Sequence, residues 1–197
     1  MKKDQLTELL YQALETELGG VQVYTTALRC VRNSELKEEW EKYLDQTRVH
    51  VRIVEQLMEE MGLDTELETP GRKVVHHTGE SLVRAMEMAL EEGEPAAAEL
   101  VAAECVVLAE TKDHLNWELI GEAVDHASEK VADLLRTAHD EVEEEEDEHI
   151  YHTKGWTREL WIKSLGMEAA LPPPEEVKDV KTAIGAERAK QARTEML

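Results

Sequence analysis

The sequence predicts an all-α protein: two antiparallel helical hairpins making a four-helix bundle, joined by a long crossover containing a short helix, with a helical tail at the C-terminal end. Three observations lead there. The composition is rich in Leu, Ala, Val, Glu and Met, with no Phe and only 4% aromatic residues, which suits helices and argues against a β-sandwich. Proline occurs only at Pro70, Pro95 and Pro172 to Pro174, so long windows are free of the residue that breaks helices. Within those windows apolar residues recur alternately three and four apart, the signature of a stripe facing a bundle core.

The first helix is expected from about Asp4 to Val31 and the second from Ser34 to Met61, with Asn33-Ser34 as turn and cap and Gly62 as the stop. Residues 63–79 contain Pro70, Gly71 and Gly79 and read as an irregular crossover, followed by a short helix from Glu80 to Glu91. Gly93-Glu94-Pro95 breaks the chain again. Pro95 fits the first turn of a third long helix that runs to about His126. Ser128 is placed to cap a fourth, which continues to Leu165 and ends at Gly166. Two units follow: residues 1–166 as the bundle, and 167–197 as a stiff Pro-rich spacer with a weakly amphipathic helical tail.

Polar residues interrupt the inward stripes. Glu17, His50, Glu110, Glu146 and His149 stand where Leu is expected. Their heights agree within each hairpin: Glu17 and His50 are equally far from the Asn33-Ser34 turn, and Glu110 and Glu146 equally far from Ser128. A buried, unpaired carboxylate costs several kcal/mol or gives up its charge. No Lys or Arg occupies the stripes at this height, so a bound dication is the economical counter-charge. Carboxylate oxygen with imidazole nitrogen suits Fe, Mn or Zn. Glu146-x-x-His149 sets two ligands one turn apart on one face, able to grip the same ion. Most of the acidic run from Glu143 to Glu148 must be a solvated face, and Glu145 competes for the ligand role.

On these residues the chain resembles the ferritin-like di-metal carboxylate superfamily, the rubrerythrin-type and related bacterial ferritin-like domains, over about residues 4–165. That family carries Glu on the first helix, Glu-x-x-His on the second, Glu on the third and Glu-x-x-His on the fourth. The resemblance makes Glu17 the first-helix ligand, with Tyr24 seven residues on. It makes His50 the second-helix imidazole, Glu110 the third-helix ligand with Trp117 in the matching place, and Glu146 with His149 the fourth-helix pair. One position departs: the second-helix Glu, commonly a bridge between two metals, is Thr47 in Thr47-Arg48-Val49-His50. The site is then dinuclear with one bridge, mononuclear, or differently ligated. Asp113 and His114 are substitutes, His114 being the one on the stripe, and Gln46 is a weaker one. The resemblance implies one or two ions of iron, or of manganese or zinc, oxygen or peroxide as reactant, and a homo-oligomer.

A formal charge of -22, from 44 acidic against 22 basic residues, argues against nucleic acid and anionic membrane surfaces as partners. No uncharged run approaches the roughly 18 residues of a membrane span. Cys30 and Cys105 offer neither a disulfide framework nor a thiolate zinc site, and the first residues have no apolar signal core, so a cytoplasmic protein is expected. Phosphate loops, nucleophile elbows and dinucleotide fingerprints do not occur. Three functions compete. One is Fe(II) oxidation or peroxide reduction at a di-metal centre. Another is a non-enzymatic scaffold with a degenerate or structural metal, acting through assembly or its tail. The last is a metal-free bundle whose buried acids form a hydrogen-bonded network.

Overall fold

The computed structural model describes all 197 residues. It is all-helical, with four long helices: α1 (Lys3–Cys30), α2 (Ser34–Glu60), α4 (Pro95–Val124) and α5 (Glu129–Ser164). Between α2 and α4 lies α3 (Pro70–Glu91), and α6 (Pro174–Val177), α7 (Ala183–Gln191) and a 3₁₀ turn (Ala192–Glu195) make the tail. Helix α1 packs on α2 and α4, and α5 on α4 and α2, while α3 lies across α1 and α4. No helix is long and apolar enough to cross a membrane.

The ends of the long helices follow their local chemistry. The Asn33 side chain accepts hydrogen bonds from the Glu35 and Leu36 amides, satisfying two donors that the first turn of α2 cannot pair internally. Gly62, just past α2, has φ +73°, a left-handed conformation that costs a side-chain-bearing residue. Ser128 occupies the cap position of α5 without a side-chain bond.

The crossover differs from the expectation. A single helix of 22 residues begins at Pro70, so residues 70–79 are helical rather than irregular. Pro70 stands in the first turn, where an amide hydrogen has no internal partner to lose, and Thr69 caps the helix through the Arg72 amide. The glycines taken as breakers serve packing instead. A Cβ built on Gly79 would stand 3.7 Å from the Gly19 Cα, so the backbones of α1 and α3 cross closely. One on Gly71 would meet the Glu8 and Gln12 side chains of α1.

The tail folds back onto α5. Arg158 makes a paired hydrogen bond to Glu175, at 2.6 and 2.9 Å. Glu159 accepts from the Ala170 amide and from Arg193. Pro173 and Pro174 are buried, so the proline run turns the chain against the helix rather than holding it away.

The interior has two apolar regions. One gathers Tyr24, Leu36, Trp40, Tyr43, Val106 and Trp156; the other gathers Leu10, Leu14, Val54, Met58, Trp117, Ile120 and Leu135. Between them along the helices lies a layer of buried Glu, Asp and His side chains.

Candidate metal centre

Each long helix delivers its part of the polar layer from mid-length, where helical geometry holds the backbone rigidly. Glu17 comes from α1, His50 from α2, Glu110 and Asp113 from α4, and Glu146 with His149 from α5; all are buried. All but Asp113 form two triads that share Glu146. In the first, Glu17, His50 and Glu146 each present a ligand atom within 4.8 Å of the others; in the second, Glu110, Glu146 and His149 do the same. His50 Nδ1 lies 3.0 Å from Glu146 Oε1 and 3.8 Å from Glu17 Oε2. His149 Nδ1 lies 3.5 Å from Glu146 Oε1 and 3.6 Å from Glu110 Oε2. The two imidazoles stack with centroids 5.7 Å apart.

A second set of side chains aims the first. His50 Nε2 donates to the Glu145 carboxylate at 2.8 Å, and His149 Nε2 donates to the Gln46 amide oxygen at 3.0 Å. Each ring therefore carries its outer proton on Nε2 and turns Nδ1 inward, the arrangement that orients imidazole toward a metal. Trp117 Nε1 donates to Glu17 Oε1 at 2.8 Å, leaving Oε2 for the centre. Glu17 Oε2, His50 Nδ1, Glu110 Oε2, Asp113 Oδ1, Glu146 Oε2 and His149 Nδ1 are all shut off from solvent with no hydrogen-bond partner. Such convergence of orphaned donor atoms from four helices is costly unless a cation completes it.

The electrostatics without a metal show what the cation would replace. Burial alone would lower the His149 imidazole, but its contacts with Glu110 and Glu146 carry it up to about 10. Burial alone would raise Glu146, but the His149 and His50 imidazoles hold it down to about 2. Glu17 is pushed well up by burial and by the facing Asp113 and Glu146 carboxyls, and Asp113 likewise by burial, Glu146 and Glu110.

Of the six residues proposed as ligands from sequence, the structure brings five together: Glu17, His50, Glu110, Glu146 and His149. His114 does not join them. Its side chain is 20% exposed and faces Glu118 and Asp147 at 3.4 and 3.5 Å. The neighbouring Asp113 is the buried residue. Helix α4 packs on α1, α3 and α5 together, so its buried arc is wide and a strict three-four stripe drifts off its centre by one residue. Glu145 and Gln46 serve here as partners of the imidazoles. Thr47 donates to the Tyr43 carbonyl and packs its methyl 3.2 Å from where a Cβ on Gly20 would stand, so Gly20 makes room for it. His139 lies outside the layer, beside Asp140 and Glu143.

Searches of protein-family models, of curated proteins and of solved structures found no match to this chain. The donor set itself defines the chemistry on offer. Carboxylate and imidazole without thiolate are ligand types that suit Fe, Mn or Zn in the divalent state, and each of the two triads that share Glu146 has the atoms to hold an ion.

Proposed function

We propose that this chain is a ferritin-like metalloprotein, with α1, α2, α4 and α5 as its four-helix bundle and iron or manganese in the polar layer. The observation that carries the reading is Glu146: one buried carboxylate, within reach of both His50 and His149, common to two Glu–His–Glu triads. Glu17 and His50 would hold one ion, Glu110 and His149 the other, and Glu146 would bridge them. Asp113, buried with an unpartnered oxygen and facing Glu17, Glu110 and Glu146, would supply a further carboxylate where Thr47 supplies none. When bound, the metal supplies redox chemistry toward oxygen or peroxide. The protein's own part is positional. Glu145 and Gln46 keep Nδ1 of each imidazole inward, Trp117 orients Glu17, and the apolar regions on either side limit water.

A second reading keeps the metal but not the turnover. Thr47 leaves Glu146 as the only carboxylate common to both triads, and a centre with one bridge can be structural, with the protein acting through homo-oligomer assembly or its tail.

The test is anaerobic loading of protein purified without a chelating tag, followed by metal analysis and anomalous scattering at the Fe and Mn edges. The expectation, read in the inner layer from the anomalous map, is two ions in the wild type, none in Glu146→Gln, and one in either Glu17→Gln or Glu110→Gln. Failure of the wild type to take up Fe(II) or Mn(II) there overturns the proposal. Metal that binds but does not cycle with oxygen or peroxide selects the structural reading.

A further inference from the structure

Beside the inner layer, a separate group of ligand-type side chains assembles from three helices. Glu39 comes from α2, Glu148 and His152 stand one turn apart on α5, and Glu176 arrives from α6 in the tail. Glu39, Glu148 and His152 each offer a ligand atom within 4.8 Å of the others. Glu176 Oε2 is 3.1 Å from His152 Nδ1 and accepts a hydrogen bond from Trp156 Nε1 at 3.2 Å.

Two further facts point to a cation. The His152 side chain is 2% exposed and its Nε2 has no partner; Glu39 Oε2 is likewise shut off from solvent without a hydrogen bond. The one basic side chain serving the group is Lys42, which pairs with Glu148 and lies 4.0 Å from Glu39 Oε2. Its side chain is 46% exposed on a flexible stem, so it can swing into solvent when a dication takes its place. Tyr43 separates this group from the inner layer: its hydroxyl is 3.1 Å from His152 Nδ1 and its ring is 4.3 Å from that of His149.

We propose that Glu39, Glu148 and His152 form a second divalent-cation site, with Glu176 of the C-terminal tail orienting the His152 ring through Nδ1, so that cation binding and tail docking are coupled. Two carboxylates and one imidazole suit a first-row dication such as Mn(II), Fe(II) or Zn(II). Because Glu176 belongs to the tail, the His152 ring is held with its Nε2 free for the ion only when the tail is docked. The ion therefore stabilises the docked form by mass action. The site does not depend on the metal or chemistry of the inner layer.

The experiment uses the full chain and Zn(II), which is redox-inert. Calorimetric titration counts ions, and trypsin cleavage at the exposed Lys178 reports tail undocking. Wild type is expected to bind one Zn(II) more than Glu39→Gln/Glu176→Gln, whose altered residues are partly exposed and spare the buried His152. With free Zn(II) ten times its Kd, cleavage should slow about tenfold in wild type and not in the double variant. Glu146→Gln, which disables the inner layer, should keep one Zn(II) and the slowed cleavage. Equal stoichiometry in wild type and the double variant, or protection that disappears in Glu146→Gln, overturns the outer site. Loss of the inner ions alone leaves both of its readouts intact.

Discussion

Metal uptake should release protons, and the count follows from the two imidazoles. In the metal-free protein His149 titrates at about 10, because Glu110 and Glu146 outweigh its burial, and His50 is also raised by Glu145 and Glu146 against its own burial. A metal takes the Nδ1 lone pair, so the proton there must leave. At pH 7, about three units below the His149 value, removing that proton costs about 4 kcal/mol and lowers apparent affinity about a thousandfold. Affinity should therefore rise about tenfold per pH unit for each imidazole that must deprotonate, and about a hundredfold per unit where both do. The His149 part should level off near pH 10. Protons shed by Glu17 and Asp113, both pushed up by burial and facing carboxyls, add to the release. Calorimetric titration of Mn(II) into metal-free protein, repeated in buffers with different ionisation heats, measures the protons directly. Binding heats that do not change with buffer, or an affinity flat between about pH 6 and 8, would refute the inward protonated imidazoles on which the reasoning rests.

Three further outcomes can be checked. Metal-free stability should be greatest near pH 4.5 and fall toward alkali: Glu146, lowered from 4.5 to about 2, stabilises above 4.5 and ceases to as pH falls through 2; His149, raised from 6.5 to about 10, stabilises below 6.5 and ceases to as pH rises through 10; and Glu17, Glu110 and Asp113, all raised by burial and facing carboxylates, destabilise the fold as pH rises above their ordinary values. Urea midpoints across pH test this, and a maximum in alkali would contradict it. Asn33→Ala removes the acceptor for the Glu35 and Leu36 amides and should cost about 1 kcal/mol in chemical denaturation, with metal stoichiometry unchanged. Gly155→Ala places a methyl 2.7 Å from Glu175 Oε2 and 3.1 Å from Pro173 Cβ, so the tail must shift; trypsin should cut faster at Lys178, with tail docking weakened by about 1–3 kcal/mol.

Periodicity and caps made the four long helices legible, because 3.6-residue spacing and the unpaired groups at helix ends are properties of the local chain. The crossover was not legible. Gly71 and Gly79 carry the same local signal whether they break a helix or let two helices touch, and only the presence of α1 alongside chooses the second. Similar ambiguity separated His114 from Asp113: one residue of phase is less than the width of the buried arc on α4. The outer group had a local hint in Glu148 and His152, one turn apart, but nothing near them in sequence announces Glu176 from the tail.

By itself, then, the sequence determined which side chains share a face and a height within each hairpin, since spacing along one helix and distance from one turn set both. The height of one hairpin against the other was decided by tertiary structure. The Glu99 carboxylate on α4 accepts the Arg32 and Asn33 amides at 2.7 Å each, tying the α1–α2 turn to the start of α4. Apolar packing on both sides of the polar layer completes the alignment and brings Glu146 of α5 to His50 of α2. Contacts between distant segments carry no periodicity of their own, so this register appears only when the helices pack.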